Sequence, residues 1–323
     1  METSSKGMNH WWRGKSPLGP SPRGQPQPPL AKGGPEGISS RLPRPALPRT
    51  LGVLLRDPAT VLGLGIVLAT LAGALAAPLL SPHDPTAVGL EHRLLGPSGQ
   101  FPLGTDHLGR DELSRLLHGA RTTLGAALVV LAVVMGIAIA VGTVSGYFGG
   151  WLDSLLMGLV DLLLAFPGLV LAVAIAGTLG PGLFNLLIAM AAVWWAGYAR
   201  LVRGMVLAAR QREYVEAARA AGASHRRIMA VHIWPNILGP VVVLVTLDLG
   251  WIVLGISGLS FLGLGAQPPT PEWGAMLNDA RPFLQTAPRL LLVPGAAIAL
   301  VVLGFNLLGD GLRDLLDPRL RHS

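Results

Sequence analysis

No cysteine occurs among the 323 residues. That excludes disulfides, thiolate metal sites and a cysteine nucleophile. Charge is also scarce: Asp, Glu, Lys and Arg make up 13% of the chain, where a soluble domain carries about 25%. Hydrophobic residues reach 51% and the mean hydropathy is +0.53, too apolar for a surface that meets water on every side. The deficit is concentrated in long stretches without any Asp, Glu, Lys or Arg, among them Pro58–His83, Thr122–Leu152, Leu162–Ala199, Leu249–Pro271 and Leu290–Gly309. Each is long enough for a membrane helix, which needs roughly 20 apolar residues. The chain reads as an all-α, polytopic membrane protein.

Lysine is confined to Lys6, Lys15 and Lys32. Gly14-Lys15-Ser16 ends like a phosphate-binding loop, but Asn9 stands where the first glycine belongs and no strand precedes it. No nucleotide site of that type is expected, and no cofactor bound by this chain. The first 50 residues hold ten prolines and no apolar run, so a signal peptide is not expected there. Residues 1–56 read as a disordered, Pro/Gly-rich tail.

Six spans are expected: Ala59–Leu80, Thr122–Tyr147, Ser154–Thr178, Leu183–Ala199, Leu238–Leu262 and Leu290–Gly309. Leu179-Gly180-Pro181-Gly182 divides the longest run into a helical hairpin, and Pro167-Gly168 should kink the third span. Of the 25 Lys and Arg residues, 19 fall in segments on one side of this arrangement and 6 on the other. The positive-inside rule places the richer side, with both termini, in the cytoplasm. The net charge of +7 is thereby a matter of topology, and a nucleic-acid partner is not expected. The organisation expected is 1–56 tail, 57–121 first span with an external segment, 122–312 membrane core, and 313–323 cytoplasmic tail.

Within that core, residues 200–237 form a long cytoplasmic excursion. Helix formers run from Leu201 to Ala221, Gly222 supplies a C-cap, Ser224 can N-cap a second short helix, and Pro235 is expected to end it. Glu216-Ala217-Ala218, then Gly222, then Pro235, resemble the EAA loop of ABC-importer permeases. Leu103–Arg121 (LGTDHLGRDELSRLLHGAR), Leu259–Arg281 (LSFLGLGAQPPTPEWGAMLNDAR), Phe305–Leu320 (FNLLGDGLRDLLDPRL) and Val160–Pro167 are similar to the second permease subunit of peptide/nickel importers. Together these blocks extend the resemblance from about residue 50 to the C-terminus. Trp234 departs from the family pattern, as does Gly158, where many relatives have a basic residue.

The resemblance implies a type I ABC-importer permease fold in the bacterial plasma membrane, a multi-pass subunit without catalysis of its own. It implies a homologous sister permease, two cytoplasmic ATPase subunits that consume ATP, and an external substrate-binding protein. Glu216, Ala217, Ala218, Gly222 and Pro235 would form the loop that couples to the ATPase. Glu216 would bond that partner or, alternatively, pair with Arg212 or Arg219 on its own helix. Asp106, Arg110 and Trp273 would face the binding protein, although Trp273 also suits an interfacial anchor.

Asp248 lies ten residues beyond Leu238, about 15 Å into the membrane. A charge there faces a cavity or a partner. In a pathway it would favour a cationic substrate; otherwise it is a buried carboxylate bonded to Thr246, Ser257 or the sister subunit. Its surroundings, with Arg210–Tyr214 and Asn278–Arg281, resemble the nickel branch, so nickel or a nickel–chelator complex is the expected cargo and di- or oligopeptides the alternative. The eight histidines contain no metal-binding motif, although His83, His92, His107 and His118 share the external segment. Two further readings leave the coupling-loop pattern unexplained: an intramembrane protease using Asp161 and Asp248, and a secondary transporter working alone.

Overall fold

A computed structural model describes residues 57–316; the tail expected over 1–56 and the final residues 317–323 lie outside the described residues. Eleven α-helices and no strand occur among them. Helix α1 (Pro58–Leu75) starts where the Asp57 carboxylate accepts the Thr60 amide at 2.8 Å. The expected first span continues as a separate turn, α2 (Ala77–Leu80). Pro78 lacks the N–H that an uninterrupted helix would use there, and the chain breaks at Ala76.

Helix α3 (Glu112–Phe148) has 37 residues, about 55 Å of helix. It begins ten residues before the expected span because Asp111 caps it, accepting the Ser114 amide at 2.9 Å. Glu112 and Arg115 in its first turns are buried, so a hydropathy reading stops where the helix does not. Consecutive positive-φ residues, Gly149 and Gly150 (69° and 65°), turn the chain into α4 (Gly150–Leu164).

The kink expected at Pro167-Gly168 is a break. Helix α5 (Gly168–Leu179) leaves α4 at 86° across residues 165–167, where proline can neither donate nor continue the preceding helix. Helix α6 (Leu183–Arg210) extends eleven residues beyond the expected end of its span. Five helices are long and apolar enough to cross a membrane, and the bent α4–α5 pair makes a sixth when taken as one span.

The core is built on α3 and α6. A Cβ on Gly142 would stand 2.6 Å from the Ala199 carbonyl oxygen, and one on Gly146 would stand 2.9 Å from that of Arg203. Small residues four apart thus let two backbones touch, the usual route to helix association where burial from water supplies no driving force. Residues Val130, Val134 and Ala138 of α3 and Ala196, Ala199 and Val202 of α6 fill the seam.

Candidate functional sites: coupling loop, outer cap and mid-membrane carboxylate

The excursion at residues 200–237 is not one helix followed by a proline stop. Helix α6 ends at Arg210, the chain turns at Gln211-Arg212, and α7 (Glu213–Ala220) follows. The expectation of continuous helix from Leu201 to Ala221 fails at that turn. Gly222 does close α7, with φ +78°, and its amide bonds the Arg219 carbonyl at 3.0 Å. The Ser224 hydroxyl then accepts the Arg227 amide, opening α8 (His225–Arg227).

Pro235 does not end this helix. Chain direction is carried through a π-turn, Ile228–Ile233, straight into α9 (Trp234–Phe261), with Pro235 in its first turn. There the Trp234 amide reaches back to Met229, and the Asn236 side chain donates to the His232 carbonyl at 2.6 Å. A proline at this position needs no amide partner, so the wider turn absorbs it.

The loop is fastened to the bundle at few points. Val215, Ile228 and Ile233 are buried, whereas Glu216, Ala217 and Gly222 are exposed and Ala218 is half-buried. Glu216 makes no ion pair among the described residues, so its expected alternative partners Arg212 and Arg219 do not engage it. A second tie runs from His225, whose Nδ1 lies 2.7 Å from the Tyr147 hydroxyl at the end of α3. Between α7 and the start of α9 lies an open cleft bordered by Met205, Arg212, Tyr214, Asn236 and Ile237.

The opposite end of the bundle carries a cap formed by residues 81–111 and α10 (Trp273–Ala280). It corrects the expectation that Asp106, Arg110 and Trp273 face a protein partner: they are 5%, 1% and 2% exposed. Arg110 Nε donates to Asp106 at 2.6 Å, and its Nη2 reaches Asp279 at 3.3 Å. Arg115 lies 3.5 Å from Asp106 and 3.6 Å from Asp279. Two arginines and two aspartates thus tie two sequence-distant segments together, residues 106–115 and α10. Charges of this kind are spent on one another rather than on a partner.

Trp273 is neither a contact surface nor an interfacial anchor. Its indole N–H donates to the Leu116 carbonyl at 3.0 Å, and its ring lies where a Cβ on Gly119 would come within 2.9 Å. Glu272, fully buried, caps α10 by accepting the Gly274 and Ala275 amides at 3.0 and 2.8 Å, and takes the Thr123 hydroxyl at 3.0 Å. Neither Glu272 nor Asp279 stood out in the sequence as a site residue. The Asp/Glu-before-helix pattern at Glu272-Trp273 was the available signal for the first. On the cap surface, Asp84 accepts the Thr86 hydroxyl and amide, which holds its carboxyl below the usual range.

Asp248 is half-buried on α9. The hydroxyl beside it belongs to Tyr198 of α6, not to Thr246, which instead donates to the Val242 carbonyl at 2.9 Å, nor to Ser257. Asp161, its supposed catalytic partner in the protease reading, is paired with Arg200. No group of three or more His, Cys, Asp or Glu side chains suited to a metal ion occurs among the described residues. The four histidines at residues 83–118 do not converge: His83 and His92 both pack on Phe101, at 4.8 and 5.3 Å, His107 stacks on Phe283 at 5.3 Å, and His118 meets Ser81 at 3.1 Å.

Residues 121–322 match the family described as binding-protein-dependent transport system inner membrane component, and residues 49–97 match the N-terminal transmembrane domain of oligopeptide transport permease C. The chain is 43% identical over 268 residues to a dipeptide transport system permease protein of Alkalihalophilus pseudofirmus, covering 83% of this chain and 88% of that one. It is 45% identical over 239 residues to the nickel transport system permease protein of Escherichia coli, covering 74% and 86%. A glutathione transport system permease protein of Pectobacterium atrosepticum is 45% identical over 256 residues, covering 79% and 85%. These relatives are transport permeases and not enzymes. The chain belongs to the binding-protein-dependent inner membrane components: it is a multi-pass permease subunit of an ABC importer.

Proposed function

We propose that this subunit turns nucleotide-driven movement of two cytoplasmic ATPases into opening of a path shared with a homologous sister permease, an external binding protein delivering the cargo. The observation that carries this reading is the exposed α7, with Ala217 and Glu216 free at its surface and the left-handed Gly222 at its end. An interior helix would not leave such a face bare. Continuity from His225 to Phe261 supplies the lever, because displacement of α7 acts on a rod that passes Asp248. ATP belongs to the partner subunits in this reading, and the chain itself binds no cofactor.

For the cargo, we propose nickel, carried as a chelate. Asp248 places a half-buried carboxylate near the middle of α9, and the described histidines supply no cage for a bare ion. The nickel permease of Escherichia coli supports this assignment. The dipeptide permease of Alkalihalophilus pseudofirmus is the reason to keep short peptides as the second reading. The test is ATPase activity of the reconstituted full complex, titrated with Ni²⁺, chelated Ni²⁺ and a dipeptide mixture. Stimulation by nickel species alone is expected; stimulation by peptides alone replaces the cargo and leaves the coupling mechanism standing.

A further inference from the structure

The segment that carries α7 leaves the bundle and returns to it around one side chain. Arg210 closes α6 just before the turn at Gln211-Arg212, and its guanidinium carbon lies 6.0 Å from the centre of the Tyr147 ring. His225 opens α8 just after Gly222 and Ser224, and its Nδ1 lies 2.7 Å from the Tyr147 hydroxyl. The two rings meet edge to face, their centroids 5.5 Å apart. Residues 211–224 are therefore pinched at their base. The residue before them rests on the ring, and the residue after them holds its hydroxyl.

The anchor itself is held on three sides. Tyr147 is 4% exposed and belongs to the same apolar core as Val206 of α6 and Val215 of α7. Two residues before it, the Ser145 hydroxyl donates to Asp153 of α4, and Arg203 of α6 donates through Nε and Nη2 to both oxygens of that carboxylate at 2.6 Å. A bidentate, charge-assisted pair fixes direction as well as distance. A Cβ on Gly146 would stand 2.9 Å from the Arg203 carbonyl oxygen, so the backbones touch beside it. The ends of α3 and α6 and the start of α4 thus form one body, and Tyr147 is its contact with the loop.

Two outlets therefore lead from the loop into the bundle. One is covalent, through the π-turn at Ile228–Ile233 into α9. The other is His225 on Tyr147, the one side-chain hydrogen bond of His225 among the described residues. Without it, α7 would hang between two turns, Gln211-Arg212 and Gly222-Ala223, held by Val215 and the half-buried Ala218 beneath it. Packed side chains and hydrogen bonds between rigid elements are what carries coupling from one site to another, and here a single tyrosine supplies both.

We propose that Tyr147 is a positioning residue for coupling: by closing the base of residues 211–224 it makes movement of α7 reach the α3–α4–α6 body together with α9. This rests on α7 being the segment that meets the ATPases.

The experiment uses the full importer in liposomes with its binding protein. This chain has no cysteine, so Val133→Cys on an exposed face of α3 and Arg226→Cys on α8 place one spin label on each side of the pinch, the other subunits being made cysteine-free. With Tyr147 intact, the distance between the labels is expected to be single, narrow and the same in the nucleotide-free and vanadate-trapped states. Tyr147→Phe keeps the ring and removes only the hydroxyl; it is expected to let the distance change between states, and His225→Ala to do the same. In unlabelled complexes both variants should lower ATPase stimulation severalfold when the binding protein is supplied with chelated Ni²⁺ and the dipeptide mixture. The half-stimulating concentration and the melting temperature should not move, and the double variant should be no worse than either single one, because both remove the same bond. A distance that already changes with Tyr147 in place overturns the proposal. So does a distance that stays fixed in Tyr147→Phe, or stimulation that is undiminished there. Ala217→Arg tests the underlying reading separately: ATPases that still assemble and turn over on that variant show that α7 is not the coupling segment, whatever the labels report.

Discussion

The cap built on residues 81–111 and the loop at residues 200–237 lie at opposite ends of the same long helices and are built on opposite plans. In the cap, polar side chains are buried and paired with one another: Arg110 and Arg115 share Asp106 and Asp279, and Glu272 satisfies two amides and a hydroxyl. In the loop, Glu216, Arg212, Arg219, Arg226 and Arg227 are all exposed, and the anchors are a few apolar residues. A network whose charges satisfy one another sets a shape. A helix whose charges are left over presents a surface to something else. Polar residues of the same kinds are thus consumed within the fold at one end and left at the surface at the other, and only burial tells them apart.

Substitutions in the cap should be the most damaging. Arg110→Ala leaves Asp106 buried without its closest partner, and breaking such a pair costs about 3–5 kcal/mol. The expected outcome is loss of assembled complex, read as yield and thermal stability in detergent; an unchanged melting curve would show that the cap is looser than its geometry indicates. Trp273→Ala, which also abandons the Leu116 bond, belongs in the same range, about 3–5 kcal/mol.

An intermediate effect is expected where helices touch. Gly142→Leu pushes a side chain against the Ala199 carbonyl, and overpacking of this kind costs about 1–3 kcal/mol. Cross-linking between α3 and α6 should weaken while the cap survives, and retention of native cross-linking efficiency would argue against close backbone contact.

The loop should respond in function more than in stability. Gly222→Val forces a β-branched residue into φ +78°, at about 1–2 kcal/mol. Nothing lies within 4 Å of a Cβ there, so the strain is local, and transport coupled to ATP hydrolysis should fall far more than melting temperature. Smallest in stability is Glu216→Ala, a surface change expected to stay within about 0.5 kcal/mol. If it lowers affinity for the ATPase subunits without moving the melting curve, the contrast between the two ends is sharpened; a large loss of stability would erase it.

How legible each end was follows from the same contrast. The caps of the loop at residues 200–237 could be read because their signals are local: a glycine that must close a helix and a serine that can open one. Its internal breaks could not. The turn at Gln211-Arg212 interrupts good helix formers, and the π-turn at Ile228–Ile233 is imposed by the register that carries Pro235 into α9. The cap motif Leu103–Arg121 was visible as a block of turn and charged residues, yet its side chains point inward. Nothing in the spacing of Asp106 and Arg110 reveals Asp279, which arrives from 169 residues away from Arg110.

What the sequence alone determined is where the membrane helices lie and some of their ends, because hydropathy, proline and glycine act over a few residues and need no knowledge of neighbours. The tertiary structure alone decided which charges are consumed. Arg203 is held by Asp153, Arg110 by Asp106 and Asp279, Asp248 lies beside Tyr198, and the Asp161–Arg200 pair remains open. A buried charge must find its counterpart wherever the fold brings one, and the distance along the chain to that counterpart is set by packing, not by pattern.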